Sequence, residues 1–172
     1  MRTNHYERAF EAYLRAHRVP YVAVDETRRS LDAHGSLKNV DFIVSPSDAT
    51  PLPLDVKGRR FPSGSANPQY WRNWSTWDDL RGLAAWQEKL GPASCALLVF
   101  AYHVVGERAP LRADQLHAFE QRRYAFLGVR VADYVRFARP LSKRWQTVRM
   151  PTPVFRQAAR PFAELLGLVA TG

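Results

Sequence analysis

The sequence predicts an α/β fold, laid out as one domain over residues 1–172, on three observations. Helical and strand-like hydrophobic periods follow one another in the order α-β-β-β-α-β-β-α-α, the pattern of helices packed on a sheet. Hydrophobic residues make up 46% of the 172, enough for a real core. No internal repeat, low-complexity tract or linker breaks the chain.

Each element has its own signal. In residues 4–18, Tyr6, Phe10, Tyr13, Leu14 and His17 recur on one helical face. Asn4 suits the N-cap, and Val19-Pro20 stops the helix. Residues 21–24 predict a short strand, and the polar residues 25–36 a loop marked by Arg28-Arg29 and Gly35. A second strand is expected over 37–44, with Val40, Phe42 and Val44 on one face and Asn39, Asp41 and Ile43 on the other. A third covers 52–58, its regular part following Pro53. Residues 59–75 read as a long polar and aromatic loop. The helix over 76–90 opens at Thr76 with Asp79 three residues on, a capping-box pattern, and stops at Gly91-Pro92. Residues 96–105 are the most apolar strand, and 124–129 another. A short helix over 131–138, a basic irregular stretch over 140–149 and a last helix over 152–167, bent or broken near Pro161, complete the chain.

Lys and Arg total 25 against 16 Asp and Glu, a formal net charge of +9. Residues 1–100 hold 13 basic and 11 acidic residues; residues 101–172 hold 12 and 5. A basic surface attracts polyanions, of which nucleic acid is the commonest. Cys95 stands alone, which excludes an intramolecular disulfide and a Cys-based zinc site. The five histidines lack metal-ligand spacing; His5 lies nearest the candidate site. The start lacks the apolar stretch of a signal peptide, and the longest apolar run, 95–102, falls far short of the roughly 20 residues that span a membrane. The expectation is a cytoplasmic protein.

The chemistry centres on Asp55-Val56-Lys57. Side chains alternate along a strand, so Asp55 and Lys57 share a face. Charges there are costly unless paired or bound to metal, and Asp41 poses the same question between Val40 and Phe42. Two carboxylates and a main-chain carbonyl, that of Val56, suit a hard cation such as Mg²⁺ or Mn²⁺. Such an ion neutralises a phosphodiester and acidifies bound water, while a nearby lysine orients that water. Glu7 falls at the edge of the buried stripe of the first helix and could reach the same ion. It also stands at N3 after Asn4, as in a capping box, so a structural role stays open beside the catalytic one.

A helix with Glu7, a strand with Asp41 and a strand with Asp55-Val56-Lys57 together resemble the PD-(D/E)xK nuclease superfamily, over about residues 4–105. The spacing from Glu7 looks like that of archaeal Holliday-junction resolvases. The run His5-Tyr6-Glu7-Arg8-Ala9-Phe10-Glu11 is similar to an uncharacterised bacterial group named for the motif HYExAFE. Val40 departs from the proline that often precedes the first aspartate. The resemblance implies a restriction-endonuclease-like core, a mixed α-β-β-β-α-β sheet flanked by helices, with residues of about 106–172 adding a strand and helices. It implies an Mg²⁺-dependent nuclease in which Glu7, Asp41, Asp55 and Lys57 are catalytic and Asp41, Asp55, Val56 and Glu7 hold metal. DNA is the expected substrate rather than RNA. A catalytically silent nucleic-acid-binding module of the same fold is the alternative. Aromatic rings stack on unpaired bases and Arg contacts phosphate, so Arg28, Arg29, Arg59, Arg60, Trp71, Arg72, Lys143 and Arg144 are the candidate contacts. For Lys143 and Arg144 a solvated face serves equally well. Nucleases of this type often work in pairs, which makes a homodimer a possible arrangement.

Overall fold

In the computed structural model of the protein, residues 4–25, 29–32, 35–46 and 50–167 are described, and of residues 29–32 the backbone alone. The chain runs α1 (His5–Ala16), β1 (Tyr21–Ala23), β2 (Arg29–Asp32), β3 (Gly35–Lys38), β4 (Phe42–Val44), β5 (Leu52–Phe61), β6 (Ser75–Thr76), α2 (Trp77–Leu90) and β7 (Leu97–Val104). It continues with β8 (His117–Phe119), β9 (Arg122–Arg130), α3 (Val131–Phe137), β10 (Arg139–Ser142), β11 (Thr147–Arg149), α4 (Thr152–Ala158), β12 (Arg160–Pro161) and α5 (Phe162–Leu165).

Seven strands form one mixed sheet in the order β1-β4-β5-β7-β9-β12, with β8 added on β9. β5 and β7 pair in parallel from Leu54 with Leu97 to Phe61 with Val104; their crossover carries α2, as parallel strands require. The other pairings in this sheet are antiparallel. Each face buries its own apolar cluster. Phe10 and Leu14 of α1 pack with Phe42, Leu54, Val56 and Val99. Leu80 and Leu83 of α2 pack with Leu98, Phe100 and Tyr102. Alternation along β5 therefore aims Leu54 and Val56 at α1, and Asp55 and Lys57 at α2.

Both helices start as their sequences require. Asn4 accepts a hydrogen bond from the Tyr6 N–H at 2.9 Å. Thr76 and Asp79 form the full reciprocal capping box of α2. α1 ends at Ala16, so His17 is the C-cap and is exposed rather than part of the apolar stripe.

Several elements depart from the expected pattern. The supposed loop over 25–36 contains β2 and the first half of β3, which pair as a hairpin. The single strand expected over 37–44 is interrupted at Asp41, where the chain bends. Val40 consequently packs with the α2 cluster while Phe42 and Val44 pack with the α1 cluster, so the three do not share a face. β5 is longer than expected and includes Arg59 and Arg60. Pro53 does not shorten it, because Pro53 pairs only with Ile43 and the ladder with β7 begins one residue later. Residues 140–149 are not irregular: β10 and β11 pair, and β11 continues onto β6. The last helix is broken in two by β12, a two-residue strand that extends the sheet beside β9.

Candidate active site

The short β4 creates the site. It pairs with β5 only from Leu52 to Leu54, so among the described residues the rest of β5 has an open edge. The chain before β4 fills the first part of that edge with a side chain. Asp41 N–H donates to the Leu54 carbonyl at 3.0 Å, and the Asp41 carboxylate accepts the Val56 N–H at 2.7 Å. A strand residue turns its N–H and C=O to the same side, so the Val56 carbonyl also leaves β5 beside Asp41.

Glu7, Asp41, Asp55, Val56 and Lys57 all line one cleft of about 330 Å³, with Asn4, Tyr6, Lys38, Gly58 and Arg59. Glu7, Asp41 and Asp55 are buried to 5% exposure or less. Glu7 comes over the open edge from α1, with its carboxylate 3.3 Å from the Asn4 side-chain amide. Asn4 caps the Tyr6 N–H rather than that of Glu7, so the expected capping box is replaced by a side-chain contact. Tyr6 covers Gly58, and a Cβ there would run into its ring, so glycine is what lets α1 sit this low on the strand.

Lys57 lies between two carboxylates, 2.5 Å from Asp55 Oδ2 and 2.7 Å from Asp79 Oδ2. Burial alone would lower its pKa, but Asp55 and Asp79 hold it above the usual lysine range, so it stays an ammonium. Burial would raise the Asp79 pKa, yet Lys57 and Lys38 hold that carboxyl well below the usual range. Asp79 was not among the residues expected at the site. Its sequence signal is the capping box, which is real, but only the approach of α2 to β5 brings it to Lys57.

The remaining candidates separate. Arg59 lines the cleft, but its guanidinium donates to the Gly58 and Trp74 carbonyls at 2.7 and 2.5 Å and stacks 4.1 Å from the Trp74 ring centroid. It ties the following loop to the strand. Arg60 is exposed on β5. Trp71 packs against Phe61 and Tyr102, with Arg156 over its ring, and with Arg72 lines a separate cavity of about 470 Å³. Lys143 and Arg144 sit exposed in the turn between β10 and β11, outside the cleft. Arg28 lies outside the described residues, and so does the side chain of Arg29. His5 shares a hydrogen bond with the Tyr124 hydroxyl at 2.8 Å; burial and then Arg122 and Arg8 lower its pKa.

This architecture has a solved counterpart. A Holliday junction resolvase from the archaeal hyperthermophile Archaeoglobus fulgidus superposes with a TM-score of 0.55 at 13% identity, covering 97% of both chains. The fold is restriction-endonuclease-like. No family model and no curated protein matches the sequence. Among the described residues no helix is long and apolar enough to cross a membrane.

Among the described residues no three His, Cys, Asp or Glu side chains are grouped to hold an ion by themselves. The cleft instead offers oxygen donors of mixed kind: the Asp41 and Asp55 carboxylates, the Val56 carbonyl and, further along, Glu7. Asp55 Oδ2 is buried and, among the described residues, meets the Lys57 ammonium at 2.5 Å. Such a set fits a hard cation that keeps several of its waters.

Proposed function

We propose that the protein is a metal-dependent nuclease that hydrolyses phosphodiester bonds, with DNA rather than RNA as substrate and endonucleolytic cleavage as its mode. The observation that carries this reading is the convergence of Glu7, Asp41, Asp55, Val56 and Lys57 in one cleft at the open edge of β5. The likeness in fold to a Holliday junction resolvase supports it. So does the charge. Glu7, Asp41, Asp55 and Asp79 set four carboxylates against the three cations Lys38, Lys57 and Arg59, leaving one negative charge. A divalent ion would turn that to one positive charge, the sign that attracts a phosphodiester.

Asp41, Asp55 and the Val56 carbonyl would hold Mg²⁺ or Mn²⁺, with Glu7 completing or supporting the set. When bound, the ion supplies charge neutralisation at phosphate and acidifies water. Lys57 retains its proton, so it acts as a cation rather than as the base. Its ammonium donates to the attacking water, fixes that water's direction and meets the charge that grows on the phosphate oxygens. Asp55 and Asp79 keep the ammonium aimed.

The test is incubation with Mg²⁺ or Mn²⁺ on single-stranded, duplex and branched DNA, wild type against Lys57→Ala. Cleavage by the variant should fall by at least about 100-fold. Undiminished metal-dependent cleavage by Lys57→Ala would sink the mechanism. Tight binding without cleavage by the wild type would instead favour a silent binding module.

A further inference from the structure

We propose that Lys38 is a second phosphate ligand of the cleft, held ready by Asp79 and handed to the substrate on binding; this rests on the nuclease reading above. Lys38 ends β3, in a hairpin that lies outside the Asp55-Val56-Lys57 strand. Its side chain lines the same cleft as Glu7, Asp41, Asp55 and Lys57. Its ammonium pairs with Asp79 Oδ1, while the other oxygen of Asp79 holds Lys57 at 2.7 Å. One buried carboxylate thus carries two lysines.

The two lysines are not equivalent. Lys57 is 14% exposed and has Asp55 as a second anchor. Lys38 is 35% exposed. An incoming phosphodiester meets Lys38 first, and Lys38 can exchange one oxyanion for another because its stem is flexible and its three donors rotate. Asp79 is then still neutralised by Lys57, so the exchange strands no buried charge.

Everything around Lys38 except its head is fixed. Asp79 accepts from the Thr76 N–H and the Ser75 hydroxyl, both at 3.3 Å, and its own N–H donates to Thr76 at 3.1 Å. The Lys38 main chain sits on α2 at Gly82, where a Cβ would come within 2.7 Å of the Lys38 carbonyl oxygen. Glycine at that position lets the hairpin close onto the helix and deliver the lysine to the cleft. Lys38 is therefore a substrate ligand and Asp79 its positioning residue.

Binding of fluorescently labelled duplex DNA with Ca²⁺ in place of Mg²⁺, followed by anisotropy across NaCl concentrations, reads this role from binding rather than from cleavage. Loss of one phosphate contact should reduce the slope of log affinity against log salt by about 0.9, so the advantage of wild type over Lys38→Ala shrinks about 3.5-fold between 50 and 200 mM salt. Lys38→Arg should keep the wild-type slope, and thermal unfolding should show both variants folded. Lys38→Gln serves if Lys38→Ala does not fold. Asp79→Asn, which frees Lys38, should keep the slope while lowering kcat with little change in KM, because Lys57 loses an anchor. A wild-type slope in Lys38→Ala, or a loss confined to thermal stability, overturns the proposal and leaves the nuclease reading standing. No binding by the wild type with Ca²⁺ present overturns both.

Discussion

Asp79 and Lys57 make the residue-scale case that a site is more than its motif. Asp79 was legible as a helix cap, since Thr76 and Asp79 stand at capping-box spacing. Its pairing with Lys57 was not, because that contact depends on how α2 lies across β5. The depressed Asp79 pKa predicts a pH effect. Its folded value lies below the unfolded one of about 3.9, so its stabilising contribution is complete above that pH and is lost as pH falls toward the folded value. In urea denaturation from pH 7 to pH 3, the stability gap between wild type and Asp79→Asn should narrow below about pH 4. A gap as wide at pH 3 as at pH 7 would count against the ion pairs as its source. Asn73 is a second buried polar residue outside the expected set. Its side chain accepts the Met150 N–H at 2.8 Å and donates to the Trp71 and Met150 carbonyls at 3.1 and 3.2 Å. Asn73→Ala leaves buried main-chain groups unpaired and should lower unfolding free energy by about 1–3 kcal/mol, read by chemical denaturation.

Among elements, the helices and the central strands were legible and the hairpins were not. α1 and α2 carry apolar faces and caps, and β7 is an apolar run with no competing pattern. The hairpin β2–β3 and the strand pair β10–β11 are polar or basic, so they lack the alternation that marks a half-buried strand. The bend at Asp41 defeats a period-two reading because the side chain there replaces a ladder partner. The same contact places Asp41 at the cleft, so the irregularity belongs to the site. Gly58 is the element-scale hinge of this arrangement, since Tyr6 of α1 occupies the space a Cβ would need. Gly58→Ala should cost about 1–3 kcal/mol and shift the start of α1, with Glu7, away from β5. Adding Tyr6→Ala should recover part of that stability, and a double-mutant cycle on denaturation midpoints measures the coupling. Strict additivity would mean the two residues do not meet.

At the scale of the whole molecule, the cleft is where separate parts of the chain are brought together against their own repulsion. α1 supplies Glu7, the bend before β4 supplies Asp41, and β5 supplies Asp55, three carboxylates that share one cleft and are 5% exposed or less. Gathering carboxylates in a poorly hydrated space disfavours the folded arrangement unless each is compensated, as Asp55 is by Lys57. A divalent ion held by Asp41, Asp55 and the Val56 carbonyl, as proposed, would bind the folded state and have no equivalent site in the unfolded chain. Mass action then predicts added stability of about 2.7 kcal/mol when the ion is present at 100 times its dissociation constant. Thermal unfolding with and without Mn²⁺, Mg²⁺ or Ca²⁺ should show a Tm that climbs with ion concentration in the wild type. Asp41→Asn and Asp55→Asn should abolish the climb. Glu7→Gln decides between the two roles open to that residue. A lost ion response makes Glu7 a ligand, and an intact response with a lower Tm makes it a helix-start residue held by Asn4. A Tm indifferent to every divalent ion in the wild type would remove the metal from the proposed mechanism.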